Sequence, residues 1–339
     1  MSHANISIFV PHKGCPNDCS FCNQRAISGQ TVPATAEDVK NAVETAIRYN
    51  IEPKNTEIAF FGGSFTAIER EYMYSLLTAA KHFLDTLGFA GIRISTRPDC
   101  IDGEVLEILK KYGVTAIELG AQSMVDDVLF ANRRGHTAED VRKASRLIKD
   151  YGFELSLQMM TGLYKSDFTR DELTAREIIK LKPDTVRIYP TVVLKNTHLG
   201  YLQEAGEYTA PNAEESAPFC ARLLQMFENE GIKVIKLGLH SSETVEGDMI
   251  GGAYHPAFRE LCEGHIFLEK ILEKLEGKDK NCKYNIFVSE KTLSKAKGQQ
   301  KRNEKALKNH GFYCTIKGNK NLQNFEVEVE ASKAETNTT

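Results

Sequence analysis

Short apolar runs alternate with longer stretches of helical period along most of the chain. ISIFVPH (6–12), TEIAFFGG (56–63), GIRISTRP (91–98), AIELGAQ (116–122), ELSLQMMTG (154–162) and VRIYPTV (186–192) are brief and rich in β-branched or aromatic residues, so they read as strands. Between them, segments such as EYMYSLLTAAKHFL (71–84) and GEVLEILKK (103–111) repeat apolar residues every three or four positions and stop at a glycine. Thr35 stands where it can cap a helix, with Glu37 and Asp38 in the first turn. A helix around SAPFCARLLQMFENEG (216–231) and a final run KVIKLGL (233–239) close the series. Successive βα units with strands apolar at most positions predict parallel strands covered by helices, in a doubly wound sheet or a full or partial barrel. In both, ligands gather at the carboxyl ends of the strands. GGS (62–64), STRPD (95–99) and ELGAQS (118–123) fall there. No G-x-G-x-x-G opens the first helix, which leaves a dinucleotide site unsupported.

After about residue 265 the pattern changes. IFLEKILEKLEG (266–277) leads into YNIFVS (284–289), a Lys-rich helix–loop–helix, FYCTIK (312–317) and the alternating NFEVEVE (324–330). This organisation predicts a core over 1–264 with a closing segment at 240–264, a small basic α+β domain over 265–330, and a disordered tail at 331–339. Charge follows the same division. The net charge is only −3, yet residues 271–320 hold thirteen Lys/Arg against five Asp/Glu.

Composition is ordinary for a globular protein, at 41% hydrophobic and 26% charged. No apolar run approaches a membrane span, and Met1-Ser-His-Ala lacks the regions of a signal peptide, so a cytoplasmic location without membrane partners is expected. Disulfides rarely persist there. Of the eight cysteines, Cys100, Cys220, Cys262, Cys282 and Cys314 are scattered and read as buried core thiols. The other three, Cys15, Cys19 and Cys22, crowd into GCPNDCSFCNQ (14–24) with C-x3-C-x2-C spacing. Structural zinc takes four ligands, usually in two pairs; no second pair follows, although His12 is near enough to serve. An iron–sulfur cluster is the better reading, because three thiolates hold three irons and leave one open. Gly14 and Pro16 suit the tight, irregular loop such a cluster needs.

C-x3-C-x-Φ-C, with Phe21 before the last cysteine, resembles the signature of the radical S-adenosylmethionine (SAM) superfamily. PHKGCPNDCSFCNQ, FFGGSFTAI, STRPDCI, ELGAQSM, RRGHT, MMTGL and RIYPTVVLKNT resemble, in order, the radical domain of the elongator catalytic subunit family, which modifies wobble uridines of tRNA. Coproporphyrinogen oxidases of the oxygen-independent kind are more distant relatives. The resemblance covers residues 5 to 200. It implies a partial (β/α)6 TIM-like barrel, a [4Fe-4S] cluster on Cys15, Cys19 and Cys22, and SAM chelated to the open iron. It also implies a reductant such as flavodoxin or ferredoxin, and cleavage of SAM to a 5′-deoxyadenosyl radical. About 75 residues follow position 264, fewer than the acetyltransferase domain of that family needs.

The same resemblance assigns site residues. Gly62, Gly63 and Ser64 receive the methionine amino group; as a plain sequence feature they are a β-to-α turn. Gln122 and Arg134 resemble the pair that holds ribose and carboxylate, Arg134 otherwise being a solvated helix end. Glu118 lies among apolar neighbours, so it either pairs with Arg93 or Arg187 or faces the cavity. Gln158 matches a cofactor-touching position. Arg187 and Tyr189 share one face of a strand and are either cavity contacts or core. Relatives carry Glu where this chain has Ser95, and His136 reads as an exposed loop residue. The residue that attacks substrate is not identifiable. In the basic unit, SKAKGQQKRN (294–303) resembles a degenerate helix–GxxG–helix of KH domains, with Gly298 at the first glycine and Lys301 at the second. Lys297, Gly298, Lys301 and Arg302 are therefore candidates for RNA contact, against the plainer reading of a solvated lysine helix. Three functions follow: a radical SAM enzyme acting on RNA, in particular tRNA; a coproporphyrinogen-oxidase-like enzyme on a small molecule; or an RNA-binding protein with a structural cluster.

Overall fold

The computed structural model describes residues 4–10, 15, 18–23, 32–239 and 243–332. His12, Gly14 and Pro16, weighed above around the cysteine cluster, and most of the expected tail lie outside these residues. Contacts divide the chain into two units, one of residues 1–212 with 226–254 and one of residues 213–225 with 255–339.

The first unit is built on β1 (Ala4–Val10), β2 (Thr56–Gly62), β3 (Gly91–Thr96), β4 (Val114–Gln122), β5 (Glu154–Thr161) and β6 (Thr185–Pro190). β7 (Val192–Leu194) and β8 (Lys233–Leu237) follow. Seven of these form one sheet in the order β1-β2-β3-β4-β5-β6-β8, every neighbour parallel. The order is sequential and never reverses, which excludes the doubly wound alternative and defines a partial (β/α) barrel.

Alternation along each strand separates two faces. Ile58, Phe60, Ile92, Ile94, Ile117, Leu119, Leu155, Leu157, Val186 and Ile188 are buried beneath the helices. On the opposite face Phe61, Ser95, Gln158, Met160, Arg187 and Tyr189 are only half-buried and line the interior of the arc. Helix starts follow the sequence cues. Thr35 accepts from the Asp38 amide at 3.2 Å, and the Asp38 carboxylate accepts from the Thr35 amide at 2.7 Å.

Two expectations change. The run 186–192 is not one strand: Pro190 ends β6, and β7 pairs antiparallel with β9 (Met249–Gly252). The boundary drawn at 264/265 falls inside an uninterrupted helix, Phe258–Leu275, and the division lies at 254/255. The 240–264 segment is consequently split. The Ala253 amide donates to the Thr191 carbonyl at 2.9 Å within the first unit, whereas the residues from His255 onward join the second.

The second unit holds β10 (Lys283–Ser289) between β11 (Tyr313–Asn319), parallel to it, and β12 (Val327–Ala331), antiparallel. Phe267, Ile271, Leu275, Ile286, Val288, Ala296 and Leu307 form its core. Short helices Leu293–Lys297 and Arg302–Asn309 flank Gly298, giving the strand–helix–loop–helix–strand order read from sequence. Cys220 and Cys262 are buried and Cys100 and Cys314 half-buried, but Cys282 is exposed because it closes a turn at Asp279. Among the described residues no helix is long and apolar enough to cross a membrane. Thr35→Ala removes a cap and is expected to cost about 1 kcal/mol, seen as a lower urea midpoint at unchanged m value; an unchanged midpoint would show the box to be idle.

Candidate functional site

The described part of the cysteine loop, residues 15 and 18–23, contains no helix or strand, and Ser20 ties it to the rest of the unit. The Ser20 amide and hydroxyl donate to the backbone and side-chain oxygens of Asn132 at 3.1 and 2.7 Å. Its carbonyl accepts from the Leu199 amide at 2.8 Å. Asn132 in turn donates to the carbonyls of Val128 and Tyr164 at 2.8 and 2.9 Å. Both side chains are fully buried. A bond from the Cys22 amide to the Cys19 carbonyl at 3.1 Å tightens the turn between the two thiols.

The three sulfurs feel one another. Burial, then the fields of Cys19 and Cys15, pushes the Cys22 thiol up to about 12, with Arg134 opposing. Cys15 is raised by burial and by Cys19, against the Ser64 amide, Arg97 and Arg134. Among the described residues, however, no three His, Cys, Asp or Glu side chains close on one point.

Around them stand the ends of the strands. Gly62 has φ +112°, and a Cβ there would lie 3.1 Å from the Val10 carbonyl oxygen. The Gly63 amide donates to that oxygen at 2.9 Å, folding the end of β2 over the end of β1. Ser64 is buried, its hydroxyl sharing a 2.9 Å hydrogen bond with Thr96, while its backbone amide reaches Cys15. Gln122 sits at an irregularity in the β4–β5 register with φ +65°, a strained conformation for a residue with a Cβ. A Cβ on Gly120 would approach Gln122 Nε2 to 3.1 Å and Arg134 Nη2 to 3.3 Å, so the glycine makes room for both. Arg134 donates from Nη2 to the Gly120 carbonyl at 2.7 Å and from Nη1 to Cys19 Sγ at 3.0 Å. Its guanidinium also lies 5.8 Å from the centre of the Phe21 ring. Gln122 Oε1 is buried with no protein partner among the described residues. An acceptor left over beside a ligand-ready thiol set fits a bound polar group.

Below this layer runs a chain of buried charge. Glu118, fully buried, accepts from Arg187 Nη2 at 2.8 Å and Gln158 Nε2 at 3.0 Å, with Arg93 Nη1 at 3.6 Å. Arg93 also donates to Glu57 at 2.7 Å and Glu154 at 2.9 Å. Glu118 thus pairs with both candidate arginines. Arg187 further lies 5.2 Å from the Phe61 ring centre, next to Tyr189, whose hydroxyl burial pushes up against the opposing pull of Arg187. Ser95 is the register partner of Glu118, so a carboxylate at that position would stand beside a buried one.

Sequence reasoning missed three residues. Arg97, in the STRPD segment, is clamped by both oxygens of Asp99 at 2.9 Å, donates to the Arg134 carbonyl, and sends its field onto Cys15 and Cys19. Its place right after a strand end was the available signal. Ser20 and Asn132 carried none, being common polar residues whose pairing spans 112 positions. His136, expected exposed, is buried with Nε2 3.2 Å from the Ala121 carbonyl. Burial first, then Arg134 and Arg97, holds it down to about 4, so it is neutral near pH 7. The Arg134 arrangement needs its loop folded inward, and that carries His136 with it.

The open parallel barrel, with three thiols at its carboxyl edge, defines the class of a radical SAM enzyme. Residues 9–176 match the radical SAM superfamily and residues 183–266 the Radical_SAM C-terminal domain, and the chain belongs to that superfamily. It is similar to the tRNA uridine(34) acetyltransferase of Methanocaldococcus jannaschii, 30% identical over 256 residues that cover 63% of this chain and 47% of that protein. Elongator complex protein 3 of Saccharomyces cerevisiae is 28% identical over 254 residues, covering 66% and 45%. The chain therefore spans about half the length of the curated relatives it matches. The solved structure of the Methanocaldococcus infernus Elp3 lacking its N-terminus shares the fold, with a TM-score of 0.62 at 21% identity over 80% of this chain and 68% of that one.

Glu118→Leu leaves Arg187 without its buried carboxylate and is expected to lower stability by about 3–5 kcal/mol. Glu118→Gln, which keeps an acceptor, loses less. Urea unfolding decides: a loss below about 1 kcal/mol for the leucine variant would mean the network contributes nothing.

Proposed function

We propose that Cys15, Cys19 and Cys22 hold a [4Fe-4S] cluster, that SAM binds its open iron, and that the enzyme modifies a base of tRNA. The observation that supports this most is the convergence of Cys19, Arg134, Gln122 and the Gly62–Gly63 turn at one end of the arc, with Gln122 Oε1 lacking a protein partner. When bound, cluster and SAM supply the 5′-deoxyadenosyl radical that takes hydrogen from the substrate.

The chain's own residues do the rest. Arg134 screens the charge of the Cys19 sulfur and offers a cation to a carboxylate. Gln122 presents an acceptor suited to a ribose hydroxyl. Gly62 lets the end of β2 fold closely over Val10, which presents the backbone of Gly63 and Ser64 at the strand end, where an amino group can meet it. Phe21 covers Arg134. Glu118, Gln158, Arg187 and Tyr189 form the polar wall beneath, already matched to one another before any ligand arrives. The reductant is a flavodoxin or ferredoxin of the cytoplasm, where free thiols persist.

The tRNA substrate is supported by the similarity to a tRNA uridine(34) acetyltransferase. A tetrapyrrole carboxylate needs unpaired cations in the cavity, whereas Arg93 and Arg187 are both engaged by buried carboxylates. Anaerobic reconstitution is expected to give a brown protein with about four irons per chain. With dithionite it should turn SAM into 5′-deoxyadenosine, and Cys19→Ala should lose both iron and turnover. A colourless zinc protein sinks the cluster. Nucleoside mass spectrometry of tRNA from a deletion strain should show one modified base missing; an unchanged profile removes tRNA as substrate.

A further inference from the structure

In the second unit, Lys301, Lys305 and Lys308 are all exposed and recur at the i, i+4, i+7 spacing of one helix face, around the helix Arg302–Asn309. Asn303 and Leu307, buried, occupy the opposite face. Lys297 ends the preceding helix and is brought beside Lys301 by a turn, in which the Lys301 amide donates to the Gly298 carbonyl at 3.1 Å. Among the described residues no carboxylate pairs with any of these four lysines, although Glu304 shares their helix. Arg302 differs: its guanidinium donates to Glu214, at 2.8 Å from Nη1. The turn itself is imposed. Gly298, Gln300 and Lys301 have φ of +71°, +50° and +61°. Asn303 Nδ2 pins the turn from inside by donating to the carbonyls of Gly264 and Ala296 at 2.8 and 2.9 Å. Lys301 thus adopts a left-handed conformation more usual for glycine while standing exposed at the tip of the turn.

We propose that Lys297, Lys301, Lys305 and Lys308 form one cationic strip that holds the phosphodiester backbone of the RNA substrate, and that Arg302 is excluded from it by Glu214. This rests on the reading of RNA as substrate. From Lys301 to Lys308 the helix rises about 10 Å, the axial length of about three stacked nucleotides. Such contacts carry no sequence information and position the polymer.

The test is filter binding of unmodified tRNA to the full-length protein over a range of salt. Each Lys→Ala change should flatten the plot of log affinity against log salt by about 0.7–0.9, and all four together by about 3. Arg302→Ala should leave the slope unchanged, and Glu214→Gln, which frees Arg302, should steepen it. Iron content and RNA-independent 5′-deoxyadenosine formation should match wild type in every variant. If wild type binds tRNA and the fourfold variant keeps its affinity and slope, the strip is overturned while the tRNA reading stands. The same holds if only reduction by an acidic flavodoxin is lost. If wild type itself does not bind tRNA, both readings fall.

Discussion

Among the described residues of the cysteine loop, the backbone bond internal to it runs from the Cys22 amide to the Cys19 carbonyl, which is too little to hold three sulfurs in place, so something rigid must. Here it is the buried pair Ser20 and Asn132. Two bonds from Ser20 to Asn132, one from Leu199 to Ser20, and two from Asn132 to neighbouring carbonyls tie the loop to three segments at the carboxyl edge of the arc. Neither residue touches a sulfur. Because both are fully enclosed, every one of these groups must find a partner, and the loop has few alternative positions that satisfy them all.

Charge is divided by depth. Deeper in the arc, Glu57, Glu118 and Glu154 engage Arg93 and Arg187 through direct contacts, three carboxylates against two guanidinium groups. At the edge, Arg97 and Arg134 lean toward thiols. His136, packed beside them, stays neutral and adds no third cation. Both inner arginines are thus held by carboxylates, whereas the outer two lie within the field of the thiols.

The fold was largely legible in the sequence, because strand length, helical period and glycine stops reflect local physics. The strand order was not: periodicity alone left doubly wound and barrel arrangements open, and only the observed pairing separates them. The break placed at 264/265 falls within a continuous helix, Phe258–Leu275, that belongs to the second unit and begins without any change of composition. In the site, the cysteines, glycines and Gln122 stood out by type and by their place at strand ends. Ser20, Asn132 and the inward turn of His136 depend on partners far along the chain, and no local pattern encodes them. Arg302 stood out by charge, but its neutralisation by Glu214 spans 88 positions.

Among the described residues β1 and β8 do not pair, so the sheet is an arc and not a ring. In a closed barrel the bore is fixed by strand number and stagger, and widening it breaks hydrogen bonds along a seam. An arc has no seam. Its two margins can move apart by a small change of twist shared over six parallel junctions, with each inter-strand ladder intact. The chamber's width is therefore set by the twist of its strands and not by closure of the sheet.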